Sequence, residues 1–219
     1  MTCSNCKSIP GKAIMVDNGR CIGCGRLIVS SNAVEVKSTK WDTYFYNLCK
    51  SVATKSPCLS RQIGAILVRD KSIISTGYNG PPRGIPHCGN NRWMNDRYLQ
   101  QIVKEAEERG QFFDYKRFRD ECPRRVFGYI SGTHMELCPA QHAEENAVSN
   151  AARNGVSINE CTLYMNAPIP CSNCFGTLIN AGIVEIVIDD IVFYDIHTPF
   201  LKENSNIKIR QFNLGGTNG

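Results

Sequence analysis

The sequence predicts an α/β domain over residues 37–219, preceded by a short cysteine-rich segment over residues 1–36. Two patterns indicate the α/β class. Residues 41–56 carry apolar side chains at helical spacing, and the order of elements after residue 155 is strand, helix, strand. That order favours two parallel strands joined by a crossover helix. A chain of 219 residues is long enough for one well-buried domain with a small appendage.

The first half of the domain is predicted to contain a helix followed by a hairpin. The runs "QIGAILVRD" and "SIISTGYNG" predict two strands, joined by a turn at Asp70 and Lys71. Residues 91–125 are polar and charged, and we interpret them as an insertion with one helix across "DRYLQQIVKEAEERG". The apolar face of the first helix is formed by Trp41, Tyr44, Phe45, Leu48 and Val52.

The second half is predicted to alternate between helices and strands. Gly155 and Gly182 follow apolar periodic runs and are typical residues just beyond a helix end. The predicted order is the helix "AEENAVSNAARNG", the strand "CTLYMN", the helix "CSNCFGTLINAG" and the strand "IVEIVIDD". The alternating run "NIKIRQFNL" predicts a last strand, and "GGTNG" a loose tail.

Composition and charge exclude some classes of protein. Hydrophobic residues make up 42% and charged residues 21%, as in ordinary globular proteins. No apolar run approaches the ~20 residues of a membrane span, and the N-terminus lacks a signal-peptide pattern. We therefore expect a cytoplasmic protein, in the host cytoplasm if the source is viral, with no membrane partner. The net charge of +5 suits a small anionic ligand and is too weak to predict a nucleic-acid partner by itself.

The 12 cysteines are the unusual feature of the composition. In a reducing compartment, cysteine pairs predict metal ligands rather than disulfides. Two CxxC pairs lie 14 residues apart in the first segment, a spacing that predicts a four-thiolate zinc ribbon folded by its metal. Adventitious cysteines are the alternative. The predicted ribbon ligands are Cys3, Cys6, Cys21 and Cys24.

A second set of residues predicts catalytic chemistry. His142 and Glu144 stand two apart at the start of a predicted helix, where both side chains can reach over the open helix end. Cys171 and Cys174 open another predicted helix, whose unpaired amides and positive dipole favour thiolates. One imidazole and two thiolates leave the fourth zinc position open for water. Glu144, which is not a ligand, is then the candidate acid and base.

On its own, the His-x-Glu motif could be a surface pair and the Cys-x-x-Cys motif a redox motif. For the two motifs together, the alternative is a structural zinc site. In this order they match the His-x-Glu and Pro-Cys-x-x-Cys signature of zinc nucleobase deaminases. Longer stretches resemble the deoxycytidylate (dCMP) deaminases over most of residues 41–190. They are "CLSRQIGAILVRDKSIISTGYNGPPRGIPHC", "GTHMELCPAQHAEENAVSNAARNG" and "PCSNC", with GYNGxPxG the most distinguishing piece.

The resemblance implies a three-layer, cytidine deaminase-like fold with a five-stranded mixed sheet flanked by helices. It implies conversion of dCMP to dUMP and ammonia by a homohexamer that dCTP activates and dTTP inhibits. A triphosphate effector would bring Mg²⁺ with it.

The resemblance also suggests residues that bind nucleotides. The backbone around Ala143 and Cys171 would hold the base edge, and Arg61 is our candidate for the phosphate. Asn79 touches a nucleotide or serves as a turn residue with a left-handed backbone. Tyr194 stacks on the substrate or covers the core. The candidate effector residues are Asn79, Gly80, Arg153 and Asn154. For Arg153 and Asn154, the alternative is that they cap the end of a helix.

Four further cysteines predict a third zinc site. Some of the dCMP deaminases that this chain resembles hold a second zinc with residues at the positions of Cys58 and Cys88 and with others just upstream of the catalytic histidine. The physical reason is that an insertion with few apolar residues needs a staple; four unrelated buried thiols are the alternative. His87 and His134 are candidate substitutes. The four cysteines are Cys58, Cys88, Cys122 and Cys138.

Two other functions compete with a free-nucleotide deaminase. One keeps the chemistry but acts on a base in single-stranded DNA or RNA, with the ribbon as binding module. GYNGxPxG and the modest positive charge argue against it. The other is a non-catalytic interaction protein stapled by zinc. Glu144 argues against that, since a purely structural site does not need this carboxylate.

Overall fold

The computed structural model describes residues 16–17, 20–21, 38–129, 133–193 and 195–212. In the first segment, β1 (Val16–Asp17) pairs antiparallel with β2 (Arg20–Cys21). The other predictions for residues 1–36, and the predicted tail, lie outside the described residues. The remaining strands are β3 (Gly64–Arg69), β4 (Ser72–Tyr78), β5 (Thr162–Met165), β6 (Glu185–Ile188) and β7 (Lys208–Gln211).

Helices surround these strands and include the four that were predicted. The helices of the first half are α1 (Lys40–Ala53), α2 (Asn90–Asn95), α3 (Arg97–Glu108), α4 (Tyr115–Asp120) and α5 (Pro123–Val126). A single 3-10 turn over Met135–Leu137 leads to α6 (Ala143–Arg153), α7 (Ser172–Asn180) and α8 (His197–Glu203). The last of these was not predicted, because seven residues are too few to show a helical period.

Five strands form one mixed sheet in the order β4-β3-β5-β6-β7. The predicted hairpin is confirmed: β3 and β4 are antiparallel, and both turn residues, Asp70 and Lys71, have positive φ, as a two-residue hairpin turn requires. The predicted crossover is also confirmed, since β5 and β6 are parallel and α7 connects them. The last strand, β7, adds parallel to β6.

The sheet is buried on both faces, which makes the fold three-layered. Alternate residues of β3 point to opposite sides, so Ala65 and Leu67 pack with α6 and α7 while Ile66 and Val68 pack with α1. Each fully buried Leu or Phe on these faces contributes roughly 1.5–3 kcal/mol of hydrophobic free energy. The predicted five-stranded α/β fold is therefore confirmed.

The insertion has a small hydrophobic core of its own, which was not predicted. Its predicted helix is confirmed as α3, but α2, α4 and α5 were missed. The rings of Trp93 and Phe118 stack with centroids 4.8 Å apart. The short helices place these aromatic residues, which are scattered in sequence, around one centre. The buried members of this core are Leu99, Val103, Phe118 and Val126.

The ends of two helices agree with a further expectation. Gly155 and Gly182 follow α6 and α7 with φ of 65° and 76°, where a residue without Cβ is favoured. Among the residues described, no helix combines the length and apolar character that a membrane span requires.

Candidate active site

The starts of α6 and α7 meet at one point on the same side of the sheet. His142 is the N-cap of α6, Cys171 is the N-cap of α7, and Cys174 lies in the first turn of α7. His142 Nδ1 is 3.2 Å from Cys174 Sγ and 3.6 Å from Cys171 Sγ, and the two sulfurs are 3.3 Å apart. Within the described ranges this is the one group of three or more His, Cys, Asp or Glu side chains whose ligand atoms all lie within 4.8 Å of one another.

The separations of these three atoms fit a tetrahedral zinc ion. Zinc bond lengths to imidazole and thiolate imply N–S separations of about 3.6 Å and S–S separations of about 3.8 Å around such an ion. The distances between His142, Cys171 and Cys174 are equal to these or slightly shorter. The donor set is also one that zinc prefers, and it leaves one coordination position for a water or substrate.

Protons are unequally shared in this trio. The hydrogen bond from Cys174 lowers the pKa of Cys171 to about 4, despite the effect of burial. The hydrogen bond to Cys171 raises the pKa of His142 to about 9. The pKa of Cys174 is raised by the same hydrogen bond to Cys171 and by burial. Without a metal, two protons therefore remain on the site at neutral pH, and a zinc ion would displace them.

Glu144 lies beside the trio with almost no solvent exposure. Its Oε1 is 3.8 Å from His142 Nδ1, and the residue is 3% exposed. His142 has the extended backbone of an N-cap (φ −73°, ψ 160°), so the two side chains do not point to opposite sides as they would within a helix. Burial raises the pKa of Glu144, which brings the carboxyl group nearer to the range of an acid–base catalyst.

The position of α6 depends on direct backbone contact with β4, which sequence reasoning missed. A Cβ on Gly77 would overlap the carbonyl of Ala143 and the amide of Ala147. Two α6 side chains also bind the strand: Asn146 Nδ2 donates to Tyr78 O and Asn150 Nδ2 donates to Thr76 O, each at 2.8 Å. The glycine before "YNG" was the available signal.

Asn79 braces the loop before β3. Its Oδ1 accepts from Ile63 N at 2.8 Å and from Ser56 Oγ at 2.7 Å, and its Nδ2 donates to Arg61 O at 2.9 Å. Asn79 is buried, and it is not among the described residues with positive φ, so the left-handed turn that we considered is wrong. A contact with nucleotide stays a prediction.

The next residue, Gly80, connects this loop to the site. Gly80 N and Gln141 O are 3.1 Å apart, and Gln141 N and Gly80 O are 2.9 Å apart. This two-bond bridge fixes the residue immediately before His142. The GYNG sequence therefore supports the predicted zinc ligand His142 through the backbone.

Other predicted site residues lie at different distances from the trio. Ala143 is buried at the start of α6, whereas Arg61 is exposed in the loop before β3. Arg153 and Asn154 are exposed at the opposite end of α6, about 16 Å away along an 11-residue helix. One chain therefore does not bring these two residues together with Asn79 and Gly80. Tyr194 lies outside the described residues.

The third predicted zinc site remains a prediction. Burial raises the pKa of Cys88, the hydrogen bond from Arg92 opposes this, and Cys122 and Cys138 are near enough to raise it further. These described cysteines and Cys58 do not form a second group with all ligand atoms within 4.8 Å.

The structure gives limited information on the candidate histidines of the third site and on the ribbon cysteines. His87 is exposed. His134 instead stacks on Tyr129, with ring centroids 3.6 Å apart. Of the ribbon ligands, only the backbone of Cys21 is described, in β2. The other predicted ribbon ligands lie outside the described residues; they are Cys3, Cys6 and Cys24.

Curated relatives of this chain include deoxycytidylate deaminases. The enzyme of Schizosaccharomyces pombe is 31% identical over 172 residues, which are 78% of this chain and 44% of that protein. The enzyme of Saccharomyces cerevisiae is 32% identical over 174 residues, which are 80% and 45%. That of Enterobacteria phage T2 is 32% identical over 153 residues, which are 68% and 78%. The chain thus spans less than half the length of the two yeast relatives.

Solved structures with the same fold include the dCMP deaminase of cyanophage S-TIM5. Its apo form superimposes with a TM-score of 0.51, covering 80% of this chain and 99% of that one, at 16% identity. Its complex with dCMP and dUMP gives a TM-score of 0.54, with coverage of 81% and 100% and the same identity. The model of the cytidine and deoxycytidylate deaminase zinc-binding region matches residues 39–189, which include His142, Glu144, Cys171 and Cys174. By this match and these relatives, the chain belongs to the cytidine and deoxycytidylate deaminase family.

Proposed function

We propose that this chain catalyses the zinc-dependent hydrolytic deamination of dCMP to dUMP and ammonia. The observation that carries the proposal is the buried carboxyl group of Glu144, 3.8 Å from a ligand atom of the His142, Cys171 and Cys174 trio. A structural zinc site has no use for this group. The three relatives described above, all deoxycytidylate deaminases, support dCMP as the substrate.

The residues of the site divide the chemistry between them. A zinc ion held by the trio would supply hydroxide at neutral pH, since zinc lowers the pKa of bound water to ~7. Glu144 accepts the proton of that water and delivers it to N3 of the cytosine ring. The water oxygen bonds to C4. Glu144 then takes the proton left on that oxygen and transfers it to the amino group, so that the C4–N bond breaks, ammonia leaves and the C4 carbonyl of dUMP forms. Its raised pKa suits both directions of transfer.

Substrate binding would use backbone and side-chain groups around the two helix starts. The backbone at Ala143 and Cys171 would hold the base edge. Arg61 is the candidate for the phosphate, and Asn79 supports its loop through the bond to Arg61 O. Tyr194 is the candidate for stacking on the base.

Regulation by dCTP as activator and dTTP as inhibitor, with Mg²⁺ on the triphosphate, is the further part of this proposal. The candidate residues lie at both ends of α6, about 16 Å apart. The proposed assembly is a homohexamer. We place the enzyme in the cytoplasm, with the ribbon of residues 1–36 as a separate zinc-binding segment.

One assay distinguishes the proposed function from its competitors. The full chain with zinc is given dCMP, CMP, dCTP or a cytosine-bearing oligonucleotide, and ammonia release is measured. Turnover highest with dCMP supports the proposal. Highest turnover with the oligonucleotide would indicate that the substrate is single-stranded nucleic acid. Absence of turnover with all four compounds would favour a non-catalytic role. Addition of dCTP or dTTP tests regulation, which a flat response to both would exclude.

A further inference from the structure

The residue between the two predicted sulfur ligands is held by a carboxylate from outside its helix. Ser172 is the first residue of α7, and its backbone N–H donates to Asp195 Oδ2 at 2.9 Å. Asp195 lies 23 positions further along the chain. We propose that Asp195 is a positioning residue that holds Cys171 and Cys174 in the geometry for zinc. This inference rests on the zinc site of the proposed function.

Both carboxylate oxygens of Asp195 are in use. Oδ2 also accepts from Thr198 Oγ1 at 2.7 Å. Oδ1 accepts from the backbone N–H groups of His197 and Thr198, each at 2.8 Å. Four hydrogen bonds therefore fix the carboxylate relative to α8 and to the start of α7.

The same unit also reaches the residue before Cys171. Thr198 is fully buried, and its Oγ1 lies 3.5 Å from Pro170 O while its one hydroxyl proton is donated to Asp195. Asp195 thus binds the amide of residue 172, and Thr198 packs against the carbonyl of residue 170. These two groups flank Cys171 and leave its side chain as the group directed at the metal site.

The helix start needs this external partner because its own N-cap is committed elsewhere. The first N–H groups of a helix have no partner within it, and Ser, Thr, Asp or Asn usually supplies one at the N-cap. Here the N-cap is Cys171, whose sulfur faces His142 and Cys174. A negative charge at this end also interacts favourably with the helix dipole. The hydrogen bonds that Asp195 accepts lower its pKa despite partial burial, so it is ionised at neutral pH.

The test measures zinc occupancy at Cys171 and Cys174 separately from the other cysteines. Metal-free full-length protein is titrated with buffered Zn²⁺, briefly alkylated, and mapped by mass spectrometry peptide by peptide. The free zinc concentration that half-protects these two cysteines is compared between wild type and Asp195→Asn. Asparagine has one acceptor oxygen in place of two, so it cannot keep all four bonds. Outer partners of metal ligands typically contribute about 10–100-fold to affinity, and we expect a shift of that size.

Two controls separate positioning from general damage to the fold. Cys49 and Cys161 are fully buried and should stay unmodified in every folded variant. Asp114→Asn makes the same carboxylate-to-amide change at the N-cap of α4, where Asp114 accepts from Lys116 N at 3.0 Å, far from the trio in sequence. This control should shift the half-protecting zinc concentration by less than about threefold.

The outcomes distinguish this inference from the proposed function. If zinc never protects Cys171 and Cys174 in the wild type, the proposed zinc site itself is wrong. If wild type and Asp195→Asn are protected at the same zinc concentration, the zinc site stands and the role of Asp195 is overturned.

A second variant keeps the inference testable if Asp195→Asn does not fold. Ser172→Pro removes the one N–H group that α7 donates to Asp195. Proline is tolerated at the first helical position, and Cys171 before it has the extended backbone that proline requires (φ −67°, ψ 166°). Weaker zinc protection in this variant supports the inference, and unchanged protection contradicts it.

Discussion

His142 Nδ1 lies 3.2 Å from Cys174 Sγ, although 32 positions separate the two residues. The contact exists because both residues stand at helix starts and both helices pack on the same face of the sheet. It brings an imidazole and two sulfurs to one point, where protons occupy positions that a metal would take.

Zinc affinity at the trio should rise with pH. The hydrogen bond to Cys171 raises the pKa of His142 to about 9, and Cys174 also keeps its proton, so zinc binding near neutral pH displaces both. Each displaced proton makes the affinity rise about tenfold per pH unit until its group has titrated. Competition with a chelator between pH 6 and pH 8, read from protection of Cys171 and Cys174, measures this. An affinity independent of pH over that range would contradict the protonation pattern.

Glu144→Gln should keep zinc and the fold but lower kcat by about 10²–10⁴-fold, because an amide cannot transfer the protons. Glu145→Gln is the matched control. Glu145 Oε2 only accepts from His142 N, at 3.0 Å, as part of the helix cap. The amide oxygen of Gln can accept the same bond, so this change should cost less than about 1 kcal/mol of stability and little turnover. Steady-state kinetics and metal analysis of both variants check this. Equal turnover in Glu144→Gln and wild type would remove Glu144 from the mechanism.

Gly77→Ala should displace α6 and with it His142. The added methyl group would overlap the backbone of Ala143 and Ala147, which cannot rotate away as a side chain can. We expect a loss of about 1–3 kcal/mol in the free energy of unfolding, together with reduced zinc binding. Gly176→Ala in α7 is the control, because its new Cβ meets nothing within 4 Å and alanine favours a helix. Denaturant unfolding should separate the two; equal stability would show that α6 adjusts.

Acid should destabilise the fold through Asp42. Burial raises the pKa of this carboxyl group, but hydrogen bonds from Arg210, Thr39 and Tyr164 outweigh it and hold the pKa at about 2, against the ordinary 3.8. Because the pKa of Asp42 is lower in the folded state, its ionised carboxylate stabilises the protein fully at pH values above the ordinary pKa. This stabilisation is lost as the pH falls towards 2. The contribution is about 2 kcal/mol.

Asp42→Asn should therefore flatten the stability curve between pH 4 and pH 2 and lower stability at pH 7. Arg117→Met, which breaks the exposed pair with Glu121, is the control and should change the unfolding midpoint little. Thermal unfolding of both variants across this pH range is the measurement. An unchanged acid limb in Asp42→Asn would show that another group controls acid unfolding.

Zinc content tests the three predicted metal sites separately. Emission spectroscopy should find three zinc ions per chain. Replacing a pair of cysteines by serine in one site should remove one ion and leave two. Suitable pairs are Cys3 with Cys6, Cys88 with Cys122, and Cys171 with Cys174. A wild-type count of one would eliminate the ribbon site and the third site together.

The features that the sequence alone determined are those set by neighbouring residues. Apolar spacing predicted α1, and the polar pair Asp70 and Lys71 predicted the hairpin turn that the backbone adopts. Short motifs predicted that His142, Cys171 and Cys174 would converge, because each motif opens a helix.

Only the tertiary structure decided the partners that lie far apart in the chain. Gly77 against Ala143, Asn79 against Ser56 and Asp195 against Ser172 each depend on how separate elements pack. The core of the insertion is another example, since short helices gather its scattered aromatic residues. Local preference specifies the direction and period of one element, whereas contact between two elements depends on the sheet order and the loops that place them.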